Sequence, residues 1–180
     1  INVLIDPHQD VWSRYTGGDG APLWTFAAAG MDVTRFQETG AAVVHAQYGD
    51  PFPRMIWYTN YYKLGCATLF TLFFGGNDFA PALHVDGQPI QDYLQAHYIH
   101  ALAQVAEAVK DLPNVIGFEL MNEPSAGYIG IVDLGQPYRT EIMGDAPTPF
   151  QGMILGAGIP QNVPNFRMGF AALKENDPYR

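Results

Sequence analysis

The sequence predicts an α/β domain built on a parallel sheet, and two observations support this prediction. Residues 90–112 form an amphipathic pattern that leads through Pro113 directly into an apolar segment, residues 115–120. A long helix that feeds an apolar strand is half of a β/α repeat, which is the unit of parallel sheets. A second short apolar segment, residues 2–6, offers a partner strand.

The chain between these elements is irregular and rich in Gly, Pro and aromatic residues. The first strand, residues 2–6, is continuously apolar and is followed by turn-forming residues, a pattern typical of a strand buried on both faces. Residues 31–40 and 57–65 are expected to form short helices. Residues 66–74 form an apolar run that predicts either a buried helix or a buried strand, and this run is too short to span a bilayer.

The long helix is the clearest element of the sequence. Its apolar residues recur at three- and four-residue steps and so share one face: Ile90, Leu94, Tyr98, Ala101, Leu102, Val105, Val109 and Leu112. The turn before Pro89 marks its start and Pro113 its end. Residues 125–180 are rich in Gly and Pro and show no sustained period, so we expect a very long loop or set of loops there.

The composition limits the classes of function. With 180 residues, 48% of them hydrophobic and 15% charged, the chain can bury the core of one globular domain. Its net charge of -9 argues against nucleic acid as a partner and leaves at most peripheral contact with a membrane. Cys66 is the single cysteine and no Asn-x-Ser/Thr sequon occurs, which predicts an intracellular protein of the cytoplasm or vacuole.

Polar residues follow both predicted strands. Asn122 and Glu123 come after the second strand, and Asp6, His8 and Asp10 come after the first. The point where a barrel strand ends is where barrel enzymes keep their catalytic residues. A carboxyl group there, beside an amide that binds a substrate hydroxyl, suits proton donation to a leaving oxygen. We therefore predict that the two strand ends form one site.

Each of these residues also has an ordinary structural explanation. Glu123 taken alone would be an exposed loop glutamate, but its position after a helix-fed strand favours catalysis. For His8, holding a loop and binding a sugar hydroxyl next to Asp10 both stay open. Strand alternation places Asp6 and Glu119 inside a barrel, where we expect them to be buried and to make structural hydrogen bonds.

The other reactive residues are expected to be structural. His97 and His100 lack a surrounding carboxylate pattern and are predicted to lie on the helix surface, so no metal site is expected, and no cofactor. Cys66 lies in an apolar run and is predicted to be buried and inert. The glycines of residues 17–20 do not form a phosphate loop, because no Gly-Lys-Ser/Thr follows them.

Aromatic residues are frequent near the predicted site. They offer surfaces for stacking on a sugar ring or for lining an apolar groove, yet each one alone is expected to belong to the core. These residues are Trp12, Trp24, Trp57, Tyr58, Tyr61 and Tyr62.

Two segments resemble a known enzyme family. Residues 5–24, IDPHQDVWSRYTGGDGAPLW, and residues 116–124, IGFELMNEP, resemble glycoside hydrolase family 5. The resemblance is strongest to its endoglycoceramidase-related branch and, within it, to fungal enzymes acting on steryl glucosides and glucosylceramide. It implies a partial (β/α)₈ TIM barrel that covers about the third and fourth strands with long insertions. Residues 1–180 would then be a fragment of a single catalytic barrel domain.

The resemblance also implies a chemistry. The family's enzymes are retaining β-glycosidases, and here the substrate would be a glycoside or glycolipid such as a steryl glucoside or glucosylceramide. Glu123 would be the general acid/base, and Asn122 would bind the hydroxyl next to the reacting carbon. His8 and Asp10 would hold the glucose ring.

The family's nucleophile is a second glutamate at the end of the seventh barrel strand. No such strand follows residue 124, and Glu141 and Glu175 lie in sequence that we interpret as irregular. We therefore expect the 180-residue chain to be inactive alone.

Two alternatives remain open. A non-catalytic carbohydrate- or glycolipid-binding α/β module would keep the sugar-binding face and would need no second carboxylate. An endoglucanase-like hydrolase would require shorter loops around an open cleft. The aromatic and aliphatic content of the two long insertions fits a groove for a large apolar aglycone.

Overall fold

The computed structural model describes residues 1–53, 55–137, 144–168 and 173–176. The strands are β1 (Val3–Ile5), β2 (His84–Val85), β3 (Gln88–Pro89), β4 (Val115–Phe118), β5 (Gly144–Asp145), β6 (Asn165–Met168) and β7 (Leu173–Asn176). The α-helices are α1 (Trp24–Ala28), α2 (Phe36–Thr39), α3 (His45–Tyr48), α4 (Leu64–Phe79), α5 (Ile90–Val109) and α6 (Pro149–Gly156). Short 3₁₀ helices cover Arg14–Thr16, Val33–Arg35 and Trp57–Tyr62.

The predicted parallel strand pair is confirmed. Strands β1 and β4 pair in parallel, with Ile5 opposite Phe118. The ladder continues past the end of β4, because the Glu119 N–H donates to the carbonyl of Ile5 at 2.8 Å. Both strands are one or two residues shorter at their ends than the apolar segments suggest, as is usual where pairing decides the boundary.

The long helix is also confirmed, and it ends at Val109 rather than at residue 112. The apolar run that fitted either a helix or a strand lies in helix α4, which packs along α5. Of the helices that the structure describes, none combines the length and the apolar character needed to cross a membrane.

The core surrounds α4. Its largest members include Trp12, Phe26, Phe36, Leu69, Phe70, Ile90 and Leu94. Cys66 lies among them and is fully buried, as predicted. Burial raises the pKa of the Cys66 thiol well above its usual range, so this thiol stays protonated and unreactive.

Residues 125–180 were predicted to be loop, and this prediction is wrong. Helix α6 and the antiparallel sheet β5–β6–β7 lie within this segment. The start of α6 carries a capping box in which Thr148 and Gln151 satisfy each other's backbone N–H groups, with Pro149 at the first helical position. Residues 148–151, TPFQ, therefore carry the sequence pattern of a helix start, although this part of the chain shows no sustained apolar period.

The sheet β1–β4 leaves apolar side chains exposed. Leu4, Ile116 and Leu120 are 52%, 65% and 80% exposed. Asp6 and Glu119, which we expected to be buried, are exposed as well. The reason is that the sheet has two strands in the described part of the chain, so no further element there covers these side chains.

Candidate active site

The structure brings the two predicted polar clusters together. The Asn122 N–H donates to the carbonyl of Pro7 at 3.0 Å, which joins the segment after β4 to the segment after β1. The side-chain amide of Gln9 donates to the carbonyl of Asn122 at 3.0 Å and to that of Glu123 at 2.9 Å. The two strand ends thus form one surface, as their sequence predicted.

Gln9 was not singled out from the sequence, although it stands between the two predicted sugar-binding residues. Its side chain is buried, and its Oε1 accepts a hydrogen bond from the Trp12 N–H at 3.2 Å. Its Nε2 also lies 3.1 Å from the Tyr61 hydroxyl. Burial raises the pKa of Tyr61, so the phenol is neutral. No sequence signal marked Gln9, because strand β1 ends at Ile5 and the alternation of faces does not extend to residue 9.

His8 and Asp10 form a hydrogen-bonded pair. His8 Nε2 lies 3.1 Å from Asp10 Oδ2, with His8 exposed and Asp10 half-buried. The hydrogen bond to Asp10 raises the pKa of His8, the charges of Asp10, Asp19 and Asp6 add to it, and partial desolvation opposes it. Because one ring nitrogen is engaged by Asp10, the other is directed away from it and is available to a ligand.

Asp19 is a second residue that the sequence did not indicate. Its N–H donates to the carbonyl of Asp10 at 3.2 Å. Potential ligand atoms of His8, Asp10 and Asp19 lie within 4.8 Å of one another, which is the geometry of a cation site. His8 and Asp19 are exposed, and such groups commonly gather without an ion, so we assign no metal to them.

The glycines of residues 17–20 have a packing role. A Cβ on Gly18 would lie 2.1 Å from the carbonyl oxygen of Asp10. Gly20 has φ +105°, and a Cβ there would lie 3.0 Å from the Cβ of Gln9. Side chains at these two positions would collide with the segment that carries the candidate site, which explains the glycines without a phosphate.

Glu123 is exposed and Asn122 is half-buried. Glu123 has φ +40°, in the left-handed region that a glutamate rarely adopts. Strand β4 ends at Phe118, so the predicted alternation of faces does not extend to Glu123. Its carboxyl group is open to solvent and its backbone is held by Gln9, which suits an acid that has to reach a bound substrate.

The loop after Glu123 is fixed against helix α4. Gly127 has φ +59°, and a Cβ there would lie 2.5 Å from both the Ala67 carbonyl and Thr71 Oγ1. The Tyr128 N–H donates to Thr71 Oγ1 at 2.8 Å. The segment that follows the candidate acid is therefore anchored on the core.

An apolar cavity of about 720 Å³ lies between the two insertions. It is lined by residues of the segment after β1, including helix α4, and by residues of the segment after β4. Its apolar lining includes Met31, Phe36, Leu64, Leu72, Phe79, Ile131, Leu134 and Met153. A second cavity, of about 470 Å³, adjoins His8 and Gln9 and is lined by α5. Both volumes are typical of small-molecule sites.

The aromatic residues divide between core and surface. Trp12 is in the core as predicted, but Trp24 and Trp57 are 37% and 50% exposed, so the core prediction is wrong for these two. Trp57 packs against Tyr61 with ring centroids 6.3 Å apart, which places an exposed indole beside the residue that contacts Gln9. His97 and His100 are exposed on α5, as predicted.

No family model matches the chain. It is 52% identical to a glucosylceramidase of Rhizopus delemar, over 91% of this chain and 24% of that protein. It is 41% identical to an ergosteryl-beta-glucosidase of Saccharomyces cerevisiae, over 98% of this chain and 26% of that protein. A crystal structure of Cryptococcus neoformans sterylglucosidase 1 matches 99% of this chain and 27% of its own, with a TM-score of 0.91 and 40% identity.

These matches confirm the resemblance to glycoside hydrolase family 5. Within it, the similar proteins are the fungal glucosylceramidases and sterylglucosidases, as the two sequence segments indicated. The chain spans about a quarter of the length of these family members.

Proposed function

We propose that this chain is part of a retaining β-glycosidase that hydrolyses the O-glycosidic bond of a glucosylated lipid, such as a steryl glucoside or glucosylceramide. The observation that supports this most directly is the contact between Gln9 and the carbonyl of Glu123, which joins the candidate acid to the strand end bearing His8 and Asp10. The names of the similar proteins support the substrate class.

Glu123 has the role of general acid and then general base. As an acid it protonates the oxygen that leaves with the lipid, and as a base it activates the water that releases glucose. Asn122, next to it in the chain, binds the hydroxyl beside the reacting carbon. His8 and Asp10 hold the ring through further hydroxyls, because both present hydrogen-bonding atoms at the same sheet edge.

The nucleophile of this mechanism is a second carboxylate, placed about 5 to 5.5 Å from the acid/base. We propose that another part of the protein supplies it, since this chain corresponds to about a quarter of its relatives. Glu141 lies outside the described residues, and Glu175 belongs to the antiparallel strand β7, so Glu175 is not at the end of a parallel strand. Strands β1 and β4 would be two neighbouring strands of a (β/α)₈ barrel.

The apolar part of the lipid is proposed to lie in the 720 Å³ cavity between the two insertions. Both insertions follow the strand ends that carry the polar site, and the cavity lining is mostly apolar, although Asp32 and Arg35 also belong to it. A lipid substrate implies contact with a membrane surface that is peripheral at most. The intracellular location remains a prediction from the single buried cysteine and the missing sequons.

The test is Glu123→Gln in the complete protein, assayed on a steryl glucoside and on glucosylceramide. Removing the acid should lower kcat by 10²-fold or more, and NMR of the wild-type reaction should show β-glucose as the first product. Glu107→Gln is the matched control, because Glu107 is exposed on α5 and pairs with Lys110. Full activity in Glu123→Gln would contradict the proposal. A wild-type protein that binds the glycolipid without hydrolysing it would instead indicate a binding module.

A further inference from the structure

We propose that Gln9 is a positioning residue that sets the backbone conformation of Glu123 and thereby the direction of its carboxyl group. This inference rests on the proposed function, because it assigns a role only if Glu123 is the acid/base. The evidence is the side-chain amide of Gln9, which contacts residues of the segment after β1 and of the segment after β4.

The two carbonyls that Gln9 contacts flank the Cα of Glu123. The Asn122 carbonyl belongs to the peptide before this Cα and the Glu123 carbonyl to the peptide after it, and Gln9 Nε2 lies 3.0 and 2.9 Å from them. The angles φ and ψ of Glu123 determine how these two peptide planes are turned relative to each other. One nitrogen that binds both carbonyls therefore keeps the two oxygens close together and restrains the combination of φ and ψ at Glu123.

The conformation held in this way is unfavourable without a partner. A φ of +40° costs a glutamate on steric grounds, and it turns two carbonyl dipoles toward the same point. The Gln9 NH₂ group has one proton for each of the two carbonyl oxygens, and the Tyr61 hydroxyl at 3.1 Å is a third, competing acceptor. The hydrogen bonds from Gln9 offset this steric cost at Glu123, whose carboxyl group has to point toward the substrate.

The amide of Gln9 is itself fixed in orientation. Its Oε1 accepts from the N–H of Trp12, a residue with φ +75°, at 3.2 Å. A flipped amide would set NH₂ against the Trp12 N–H and its oxygen against two carbonyls, with only the Tyr61 hydroxyl able to donate to that oxygen, so the observed orientation is favoured. Gln9 thus links two strained segments, one after each strand.

The experiment uses two leaving groups to distinguish an altered orientation of the Glu123 carboxyl group from a general loss of stability. Complete protein with Gln9→Leu is assayed on an alkyl β-glucoside, whose leaving oxygen needs a proton, and on 2,4-dinitrophenyl β-glucoside, whose leaving group needs none. We expect kcat/KM to fall by about 10- to 100-fold on the alkyl substrate, because a displacement of about 1 Å costs up to that factor. On the dinitrophenyl substrate we expect a change of less than about threefold.

Gln95→Leu is the matched control. Gln95 also donates its side-chain amide to a backbone carbonyl, that of Phe73 at 2.6 Å, but at the contact between α5 and α4. If both substrates lose activity equally in Gln9→Leu, or neither does, the positioning role is wrong. If Gln9→Leu does not fold, Gln9→Glu decides, since it keeps the side-chain length and the acceptor for Trp12 while removing the donor.

Glu123→Gln in the same two assays distinguishes the two proposals. A selective loss on the alkyl substrate in Glu123→Gln but not in the Gln9 variants would overturn the positioning role alone. No selective loss in Glu123→Gln would overturn the proposed function and the role of Gln9 with it.

Discussion

Gly18 packs directly on the backbone of Asp10. A Cβ at position 18 would lie 2.1 Å from the Asp10 carbonyl oxygen and 2.6 Å from the carbonyl carbon. Because both atoms belong to the main chain, no side-chain rotation can relieve the contact. The loop of residues 17–20 therefore determines where the Asp10 carboxylate stands relative to His8.

We expect Gly18→Ala to impair substrate binding, and the contact of its Cβ with the Asp10 backbone should lower stability as well. Moving Asp10 removes a hydrogen bond to a charged group, which is worth about 1.5–3 kcal/mol, or roughly 10- to 100-fold in kcat/KM. Steady-state kinetics on the complete protein measures this. Gly152→Ala is the control, because a Cβ there meets only the Leu64 Cβ at 3.9 Å. An unchanged kcat/KM in Gly18→Ala would show that Asp10 does not contact the substrate.

The pairing of His8 with Asp10 predicts a pH dependence. The Asp10 carboxylate raises the pKa of His8 above its ordinary value of 6.5. The raised pKa means that the pair stabilises the fold fully below about pH 6.5 and that this contribution is lost as the pH rises through the raised pKa. NMR titration of the His8 ring, assigned by its loss in His8→Gln, should show a midpoint above 6.5. Asp10→Asn should lower that midpoint, and an unmoved midpoint would exclude the pairing.

Filling the 720 Å³ cavity between the insertions should weaken the binding of lipid substrates without affecting glucosides that have a small aglycone. Ile131 lines this cavity, and we expect Ile131→Trp to raise KM for a steryl glucoside several-fold while leaving a short aryl glucoside unaffected. Its neighbour Val132 is fully exposed and provides the control Val132→Trp. Equal effects of the two variants on the steryl substrate would place the aglycone elsewhere.

Lys63 is a buried cation, and its burial lowers the free energy of unfolding. Burial lowers its pKa to about 8 although the nearby Asp145 opposes this, and its Nζ donates to the Asp145 carbonyl at 2.6 Å. Since the unfolded chain holds this proton up to about pH 10.5, the penalty is present below pH 8 and fades as the pH rises toward 10.5. Relative to Lys63→Met, the wild-type protein should gain about 2–3 kcal/mol of stability over that range. Chemical denaturation at pH 7.5 and 10 measures the difference, and a constant difference would contradict it.

The parallel pair β1–β4 and the helix α5 were predictable because their patterns are sustained. Helix α5 repeats its apolar step over about five turns, and both strands carry continuous apolar residues. The antiparallel strands β5 to β7 are about as short as β1 and β4, but their sequences GD, NFRM and LKEN contain no apolar run that would indicate a strand. Strands β6 and β7 are close in the chain, but β5 pairs with β6 through Asp145 and Asn165, a separation that periodicity does not report.

The candidate site was predictable in part for the same reason. Asn122, Glu123, His8 and Asp10 follow recognisable strands, so their proximity could be inferred from the order of elements. The role of Gln9 could not, because it arises from contacts with residues 113 and 114 positions away. Its residue type is unremarkable, and only the burial of its amide marks it as functional.

The exposed faces of Leu4, Ile116 and Leu120 have a practical consequence for protein production. In the described part of the chain the sheet has two strands, and its open edges and uncovered aliphatic side chains form a template on which further strands and other copies assemble. Expressed as an isolated 180-residue polypeptide, the chain would be prone to form inclusion bodies, and measurements on it would reflect aggregation. Crystallisation and biophysical work on this chain therefore depend on shielding these side chains.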